Sequence, residues 1–283
     1  MRLGVHTSIA GGLSRAVDRA VELNCGAMQI FCRNPRSWAF IEPDPAEVEL
    51  FREKRAGAGL SPVAVHASYL VNLSSPDDDL FARSLGLFKR ELAVADSIGA
   101  DFMVTHMGSS KGRGLDFALA RLHEALGEVA ASGLGEGAMI LLENTAGGGD
   151  TVGSSLADIG GVIEDARPMG LTIGLCFDTC HGFAAGYPMG SAADAAPLAG
   201  TIEREAGPGS LRLIHLNDSK GGPSSGVDRH EHIGRGGIGP GFFRALVNLP
   251  AFRDMPLILE TPKKAEEDDA RNLAAVREFR RKR

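Results

Sequence analysis

The stretch "TIGLCFDT" (172–179) is a short apolar run that ends in a carboxylate, Asp178. Continuous apolar runs of this length are typical of parallel strands that helices cover on both faces. Seven more runs of this kind occur along the chain, and stretches with helical spacing separate them. In order, the eight runs are "RLGVHTS" (2–8), "AMQIFCR" (27–33), "PVAVHAS" (62–68), "FMVTHMG" (102–108), "MILLENT" (139–145), "TIGLCFDT" (172–179), "LRLIHLND" (211–218) and "PLILET" (256–261).

The clearest helix starts are "DPAE" at Asp44 and "SPDD" at Ser75, because each places an N-cap side chain before a proline and an acid. Gly99 is expected to end the second of these helices. The other helices are expected at 12–24, 115–132, 155–167, 192–206, 240–248 and 264–281. Eight strand-then-helix units without a linker predict an α/β protein with one (β/α)8 TIM barrel domain over 1–283. A doubly wound open sheet is the alternative, but no GxGxxG motif follows a first strand.

The composition excludes several classes of protein. With 43% hydrophobic and 23% charged residues, the chain resembles globular proteins that bury a large core. It has no apolar window of about 18 residues and no signal-peptide pattern, so we expect a cytoplasmic protein without membrane contact. The formal net charge of −6 argues against a broadly basic nucleic-acid binder. The four cysteines lack CxxC spacing and are expected to be reduced.

Histidines and acids stand at the ends of the predicted strands, which meet at the catalytic face of a barrel. The segment "DRH" in the loop after the seventh strand adds two more donors. The candidate metal ligands are His66, His106, Glu143, Asp178, His181, His215, Asp228, His230 and Glu260. Nine donors exceed the needs of one ion and fit two or three. Closely spaced ions favour phosphoester hydrolysis.

Two other functions remain open at this stage. A sugar isomerase or epimerase on the same barrel would use one divalent ion and fewer ligands, and it would usually add a strand-end lysine, which is absent here. A non-catalytic binder of damaged DNA would not need a complete set of ligands.

Eight motifs resemble, in order and spacing, those of the endonuclease IV family of apurinic/apyrimidinic endonucleases. They are "HTSIAGG", "HASYLVNL", "THMGS", "LENTAG", "CFDTCHGFAAGY", "HLNDSK", "DRHEHIGRGGIG" and "LILETP". The resemblance implies a DNA repair enzyme that cuts double-stranded DNA 5′ to an abasic site, leaves a 3′-hydroxyl and a 5′-deoxyribose phosphate, and also removes blocked 3′ ends. It implies a monomer with three zinc ions, manganese being an alternative at one site.

The resemblance also implies roles for particular residues. His66, His106 and Glu143 match the ligands of the first ion. Glu143 also matches a ligand of the second ion, together with Asp178, His215 and Glu260, while His181, Asp228 and His230 match the third set. Glu143 would be catalytic and orient the attacking hydroxide. Arg36, Tyr69 and Leu70 match segments that insert into DNA, whereas His6 matches no ligand position.

Overall fold

The computed structural model describes residues 2–280, in which eight parallel strands form a closed barrel. The strands are β1 Leu3–His6, β2 Ala27–Ile30, β3 Val63–His66, β4 Phe102–His106, β5 Met139–Glu143, β6 Ile173–Asp178, β7 Leu211–His215, β8 Asp218–Ser219, β9 His230–Glu231 and β10 Leu257–Leu259. Around the barrel the order is β1, β2, β3, β4, β5, β6, β7 and β10, and β10 pairs again with β1. This arrangement confirms the predicted (β/α)8 TIM barrel.

The strands are shorter than the apolar runs because the last residues of each run leave the ladder and enter the loops over the barrel mouth. The short strands β8 and β9 form a separate antiparallel pair outside the barrel. The helices are α1 Leu13–Glu22, α2 Pro45–Ala58, α3 Asp78–Ser97, α4 Leu115–Ala131, α5 Leu156–Ala166, α6 Thr179–Ala185, α7 Ala195–Glu205, α8 Gly239–Leu246 and α9 Asp268–Phe279. In residues 2–280, no helix is both long and apolar enough to cross a bilayer.

The start of α3 differs from the sequence prediction. Ser75 does not cap this helix, because its Oγ accepts a hydrogen bond from Asp77 N at 3.2 Å and closes a turn just before it. Asp77 is the N-cap instead, and its carboxylate accepts from Leu80 N at 2.7 Å. Gly99 follows the helix end with a φ of 69°, as expected of a residue that stops a helix.

Three other helices need comment. Asp44 caps α2 as predicted, its carboxylate accepting from Ala46 N. The helix expected at 264–281 begins later, at Asp268, and its last expected residue, 281, lies outside the described residues. The helix α6 was not expected, because its seven residues follow β6 directly and carry no amphipathic period.

Two hydrophobic layers hold the barrel together. The larger one packs the outer strand faces against the helices, while the smaller one fills the barrel interior. The interior residues are Ala27, Ala64, Val104, Leu141, Cys176, Leu213 and Ile258. On β1 the corresponding interior position is occupied by Gly4. A Cβ there would overlap the carbonyl oxygen of Ala27 and lie 3.2 Å from Ile258 Cδ1. Only glycine fits there.

Side chains two residues further along a strand point to the same face. The next layer of interior side chains therefore lies two residues beyond the apolar layer on each strand, at the C-terminal mouth of the barrel. Its members are His6, Gln29, His66, His106, Glu143, Asp178, His215 and Glu260. An apolar plug thus lies directly beneath a polar ring. We call these eight side chains the mouth ring.

Candidate metal centre

Six of the nine candidate ligands belong to the mouth ring, and the other three lie beside it, His181 on α6, Asp228 just before β9 and His230 at the start of β9. The structure brings all nine together. Their donor atoms form overlapping groups in which the members lie within 4.8 Å of one another.

The first group consists of His66, His106 and Glu143. Glu143 Oε2 lies 3.0 Å from His66 Nε2 and 3.6 Å from His106 Nε2. Two ligands that are each about 2.1 Å from a tetrahedral ion stand roughly 3.4 Å apart. The three donor atoms are therefore spaced as ligands of one ion would be.

The second group consists of Glu143, Asp178, His215 and Glu260. His215 Nδ1 lies 3.0 Å from Glu143 Oε1 and 3.3 Å from Glu260 Oε2. Glu143 presents one oxygen to each group, since Oε2 faces the first and Oε1 the second. It is placed as a bridge between two ions would be.

The third expected set is His181, Asp228 and His230, and the structure divides it between two groups, Asp178 with His181 and His230, and Cys180 with Asp228 and His230. Asp228 Oδ1 lies 3.2 Å from His181 Nε2 and 3.6 Å from His230 Nε2. Asp178 Oδ2 is also 3.6 Å from His230 Nε2, so Asp178 lies between the second and third groups. The sequence alone did not place it there.

Local structure explains how these donors reach the ring. Asp178 ends β6 and caps α6, because its Oδ1 accepts from His181 N at 2.8 Å. This bond holds His181 one turn away, while Asp178 Oδ2 faces His230. The ladder between β8 and β9 pairs Ser219 with His230, which carries the "DRH" segment over the mouth.

The hydrogen bonds of the histidines fit metal binding. Nδ1 of His66, His181 and His230 lies 2.7, 2.9 and 2.9 Å from the main-chain carbonyls of Ala67, Asn144 and Glu260, respectively. A carbonyl only accepts, so each Nδ1 donates and each Nε2 is left toward the carboxylates. The buried ring nitrogens His181 Nε2 and His230 Nε2 face Asp228 but make no hydrogen bond of normal geometry with the described residues. Burying such atoms is costly unless an ion or another group satisfies them.

The ionisable side chains of the mouth ring shift one another's pKa. Burial alone would raise the pKa of Glu143, but the charges of His106 and His215 and hydrogen bonds from His181 and His215 hold it well below its usual range. Burial opposes protonation of His215, yet the neighbouring carboxylates of Glu260 and Glu143 raise its pKa well above its usual range. Glu143 is therefore ionised at neutral pH. A metal ion at His215 would displace a proton, so metal affinity should fall as the pH falls.

Several polar residues of the site were missed from the sequence. Asn217 donates to Asp178 Oδ2 at 2.6 Å, and Asn144 accepts from Asp178 N at 2.7 Å. Gln29 contacts both His215 and Glu260. Cys180 lies within reach of Asp228 and His230, but burial raises the pKa of its thiol to about 12, so it is not a thiolate at neutral pH. All four cysteines are free, as expected.

Two clefts flank the metal centre. The larger has a volume of about 1530 Å³, and basic side chains line it together with the donors. Its cationic lining residues are Arg19, Arg33, Arg36, Arg229 and Lys263. The smaller has a volume of about 620 Å³ on the side of Leu70 and Trp38.

The three candidate DNA contacts lie on the walls of these clefts. Tyr69 lines both clefts and is 63% exposed. Its ring packs edge-on against Phe31 at 5.0 Å, and Phe31 in turn packs against His66 at 5.5 Å. Arg36 is exposed in the larger cleft, while half-buried Leu70 lines the smaller one.

Comparison with known proteins agrees with this arrangement. A family model described as a xylose isomerase-like TIM barrel matches residues 17–282. Two curated relatives, both named probable endonuclease 4, are 41% identical (Halothermothrix orenii, 93% of this chain and 94% of the relative) and 40% identical (Methanoculleus marisnigri, 98% of both). The crystal structure of endonuclease IV from Thermus thermophilus superposes with a TM-score of 0.88 at 37% identity, over 99% of this chain and 98% of that one. The chain therefore belongs to the endonuclease IV family of apurinic/apyrimidinic endonucleases.

Proposed function

We propose that this protein is a DNA repair endonuclease that hydrolyses the phosphodiester bond on the 5′ side of an abasic nucleotide, leaving a 3′-hydroxyl and a 5′-deoxyribose phosphate. Removal of blocking groups from 3′ ends is proposed as a second activity of the same site. The observation that carries the proposal is the set of nine donors gathered at the barrel mouth, seven of which line the larger cleft, in a chain of this family.

Three zinc ions are proposed as the cofactor, one for each donor group, with manganese an alternative at one of them. Imidazoles and carboxylates are the ligands that zinc takes in catalytic sites. Ions held this closely supply Lewis acidity at a phosphate and lower the pKa of water. All nine donors come from one chain, so the site is complete in a monomer.

Glu143 is proposed as the catalytic residue. Its ionised carboxylate is buried and is shared by the first two groups. From there it can accept a hydrogen bond from the attacking water and fix its direction toward the phosphorus. The other ring carboxylates hold the site against the repulsion between cations.

The lining of the larger cleft supports a DNA substrate, because the exposed Arg36 and Arg229 offer contacts to a phosphate backbone. Three dipositive ions would also offset the formal charge of −6. An abasic nucleotide leaves the helix at low cost, since no base pair has to be broken. Arg36, Tyr69 and Leu70 are proposed to occupy the gap from the cleft walls.

The isomerase alternative has less support. One divalent ion with a few ligands would leave the third donor group without a purpose. The curated relatives with about 40% identity over nearly the whole chain bear the name of an endonuclease.

The function is tested by metal analysis together with incision of a duplex that carries one abasic analogue. We expect close to three ions per chain and a single cut 5′ to the lesion, with a product that a polymerase extends. An undamaged duplex of the same sequence is the matched control and should remain intact. A protein with about one ion and no cutting would contradict the proposal.

The role of Tyr69 leads to a further prediction. An aromatic ring that stacks on nucleic acid is worth about 1–3 kcal/mol, so Tyr69→Ala should raise KM for abasic duplex by about tenfold and change kcat less. Tyr69→Phe keeps the ring and its packing against Phe31 and should remain within about twofold of the unsubstituted protein. Steady-state kinetics provide the measurement, and an unchanged KM for Tyr69→Ala would exclude this role.

A further inference from the structure

Gln29 is the one member of the mouth ring with an uncharged, non-titrating side chain, and it is fully buried on β2. A buried amide needs partners for its oxygen and its NH₂ group. Gln29 Oε1 lies 2.8 Å from His215 Nε2, and Gln29 Nε2 lies 2.6 Å from Glu260 Oε1. Gln29 Nε2 also lies 3.0 Å from His6 Nδ1.

The contact with His215 determines which nitrogen of its ring faces the other donors. The amide oxygen of Gln29 can only accept, so His215 Nε2 carries the proton and donates. In neutral His215, Nδ1 then has its lone pair directed between Glu143 Oε1 at 3.0 Å and Glu260 Oε2 at 3.3 Å. This is the tautomer that a metal ligand requires.

The contact of Gln29 with Glu260 orients a second donor of the same group. Gln29 donates to Glu260 Oε1, which leaves Oε2 as the oxygen that faces His215 Nδ1. One amide thus contacts two of the four donors of the second group, and its bond to Glu260 Oε1 is shorter than the 3.3 Å between that oxygen and His6 Nδ1. No carboxylate could do both, because it has no N–H to donate.

The arrangement is particular to the second group. The histidines His66, His181 and His230 of the other groups are oriented by main-chain carbonyls, which no substitution at position 29 removes. Among the ligand histidines in residues 2–280, His215 differs because its ring nitrogen that faces away from the other donors bonds a side chain, that of Gln29.

We propose that Gln29 is a positioning residue that orients His215 and Glu260 together and thereby sets the affinity of the second metal position selectively. This inference rests on the metal centre proposed above. Groups that orient metal ligands typically contribute about 10–100-fold to metal affinity.

The test uses Gln29→Met, which keeps the length of the side chain but removes both hydrogen bonds. Zinc affinities are measured by titration against a competing chelator, and bound zinc is counted after dialysis. We expect one ion to bind about 10–100-fold more weakly and the count to fall by one, while the remaining ions keep their affinities. Met28→Leu is the matched control, because Met28 is equally buried on the same strand but packs in the outer layer.

Gln29→Leu provides a second variant if Gln29→Met does not fold. It removes both hydrogen bonds and adds no charge beside Glu260, so we expect the same selective weakening of about 10–100-fold. Unchanged affinities in the variants, or an equal loss at every ion, would overturn the inference. If the unsubstituted protein binds fewer than two ions, the proposed metal centre fails, and this inference fails with it.

Discussion

The Glu143→Gln protein is expected to incise abasic duplex at least about 10³-fold more slowly than the unsubstituted protein and to lose zinc. A positioned group that orients or deprotonates the attacking water typically contributes about 10²–10⁴-fold in rate, and about 4 kcal/mol of activation free energy corresponds to 10³. Both oxygens of Glu143 are engaged, Oε2 with His66 and Oε1 with His215. An amide would keep one oxygen and turn an NH₂ group toward a nitrogen that must have its lone pair free.

The expected loss is specific because Glu143 belongs to both the first and the second groups. Metal analysis should therefore show weaker binding at two positions and unchanged binding at the third. Glu128→Gln is the control, because Glu128 is 59% exposed and pairs with Lys89 on the surface. Its incision rate should stay within about twofold. If Glu143→Gln retained full activity with all its zinc, the catalytic role would be wrong.

The barrel was predictable because parallel strands covered on both faces have a simple sequence pattern. Eight apolar runs gave the strand count, and the rule that parallel strands end at one face gave the mouth at which nine donors meet. The ladder from β1 to β10 then placed these donors in overlapping groups. The local sequence pattern and the barrel topology agree here. The prediction that the donors meet at one face therefore held even for His66 and Glu260, which are far apart along the chain.

The residues that orient the donors were harder to identify. Gln29 lies inside an apolar run, where a single polar residue is usually passed over, yet it stands two residues beyond the interior Ala27, as His66 stands beyond Ala64. The period of two therefore carried a signal that was not used. Asn144 and Asn217 carry no such signal, because their contacts with Asp178 depend on how two loops fold back.

Helix starts show a different limit of prediction from the sequence. "SPDD" offers two side chains that can cap a helix, Ser75 and Asp77, and sequence preference does not choose between them. Tertiary structure decides, because Ser75 is fully buried and its Oγ is used in the preceding turn. The short α6 depends on Asp178, whose strand-end carboxylate also serves as its cap.

The pairing of Arg33 with Glu91 could not be foreseen, because 58 residues separate them and neither stands in a motif. Glu91 is fully buried on α3, and its Oε1 lies 3.2 Å from Arg33 Nη1. It also accepts from Ser68 N at 3.0 Å. Arg33 in turn donates to the carbonyls of Ser37 and Ala39. The pair thus connects the loop that carries Arg36 to the loop that carries Tyr69.

Glu91→Ala is expected to lower the free energy of unfolding by about 3–5 kcal/mol, because it leaves the Arg33 guanidinium buried without a counter-charge. Urea denaturation of the protein with its metals bound measures the change, and the same variant should raise KM for abasic duplex because both loops lose their anchor. Glu128→Ala removes the exposed partner of Lys89 and should cost less than about 1 kcal/mol.

A double variant separates charge from packing. Arg33→Met combined with Glu91→Leu replaces the ion pair by apolar side chains and should recover much of the stability, since such replacements are often neutral. It should not recover KM, because a methionine at position 33 cannot donate to the carbonyls that hold the Arg36 loop. A loss below about 1 kcal/mol in Glu91→Ala, or a KM restored by the double variant, would show that this buried pair does not position the two loops.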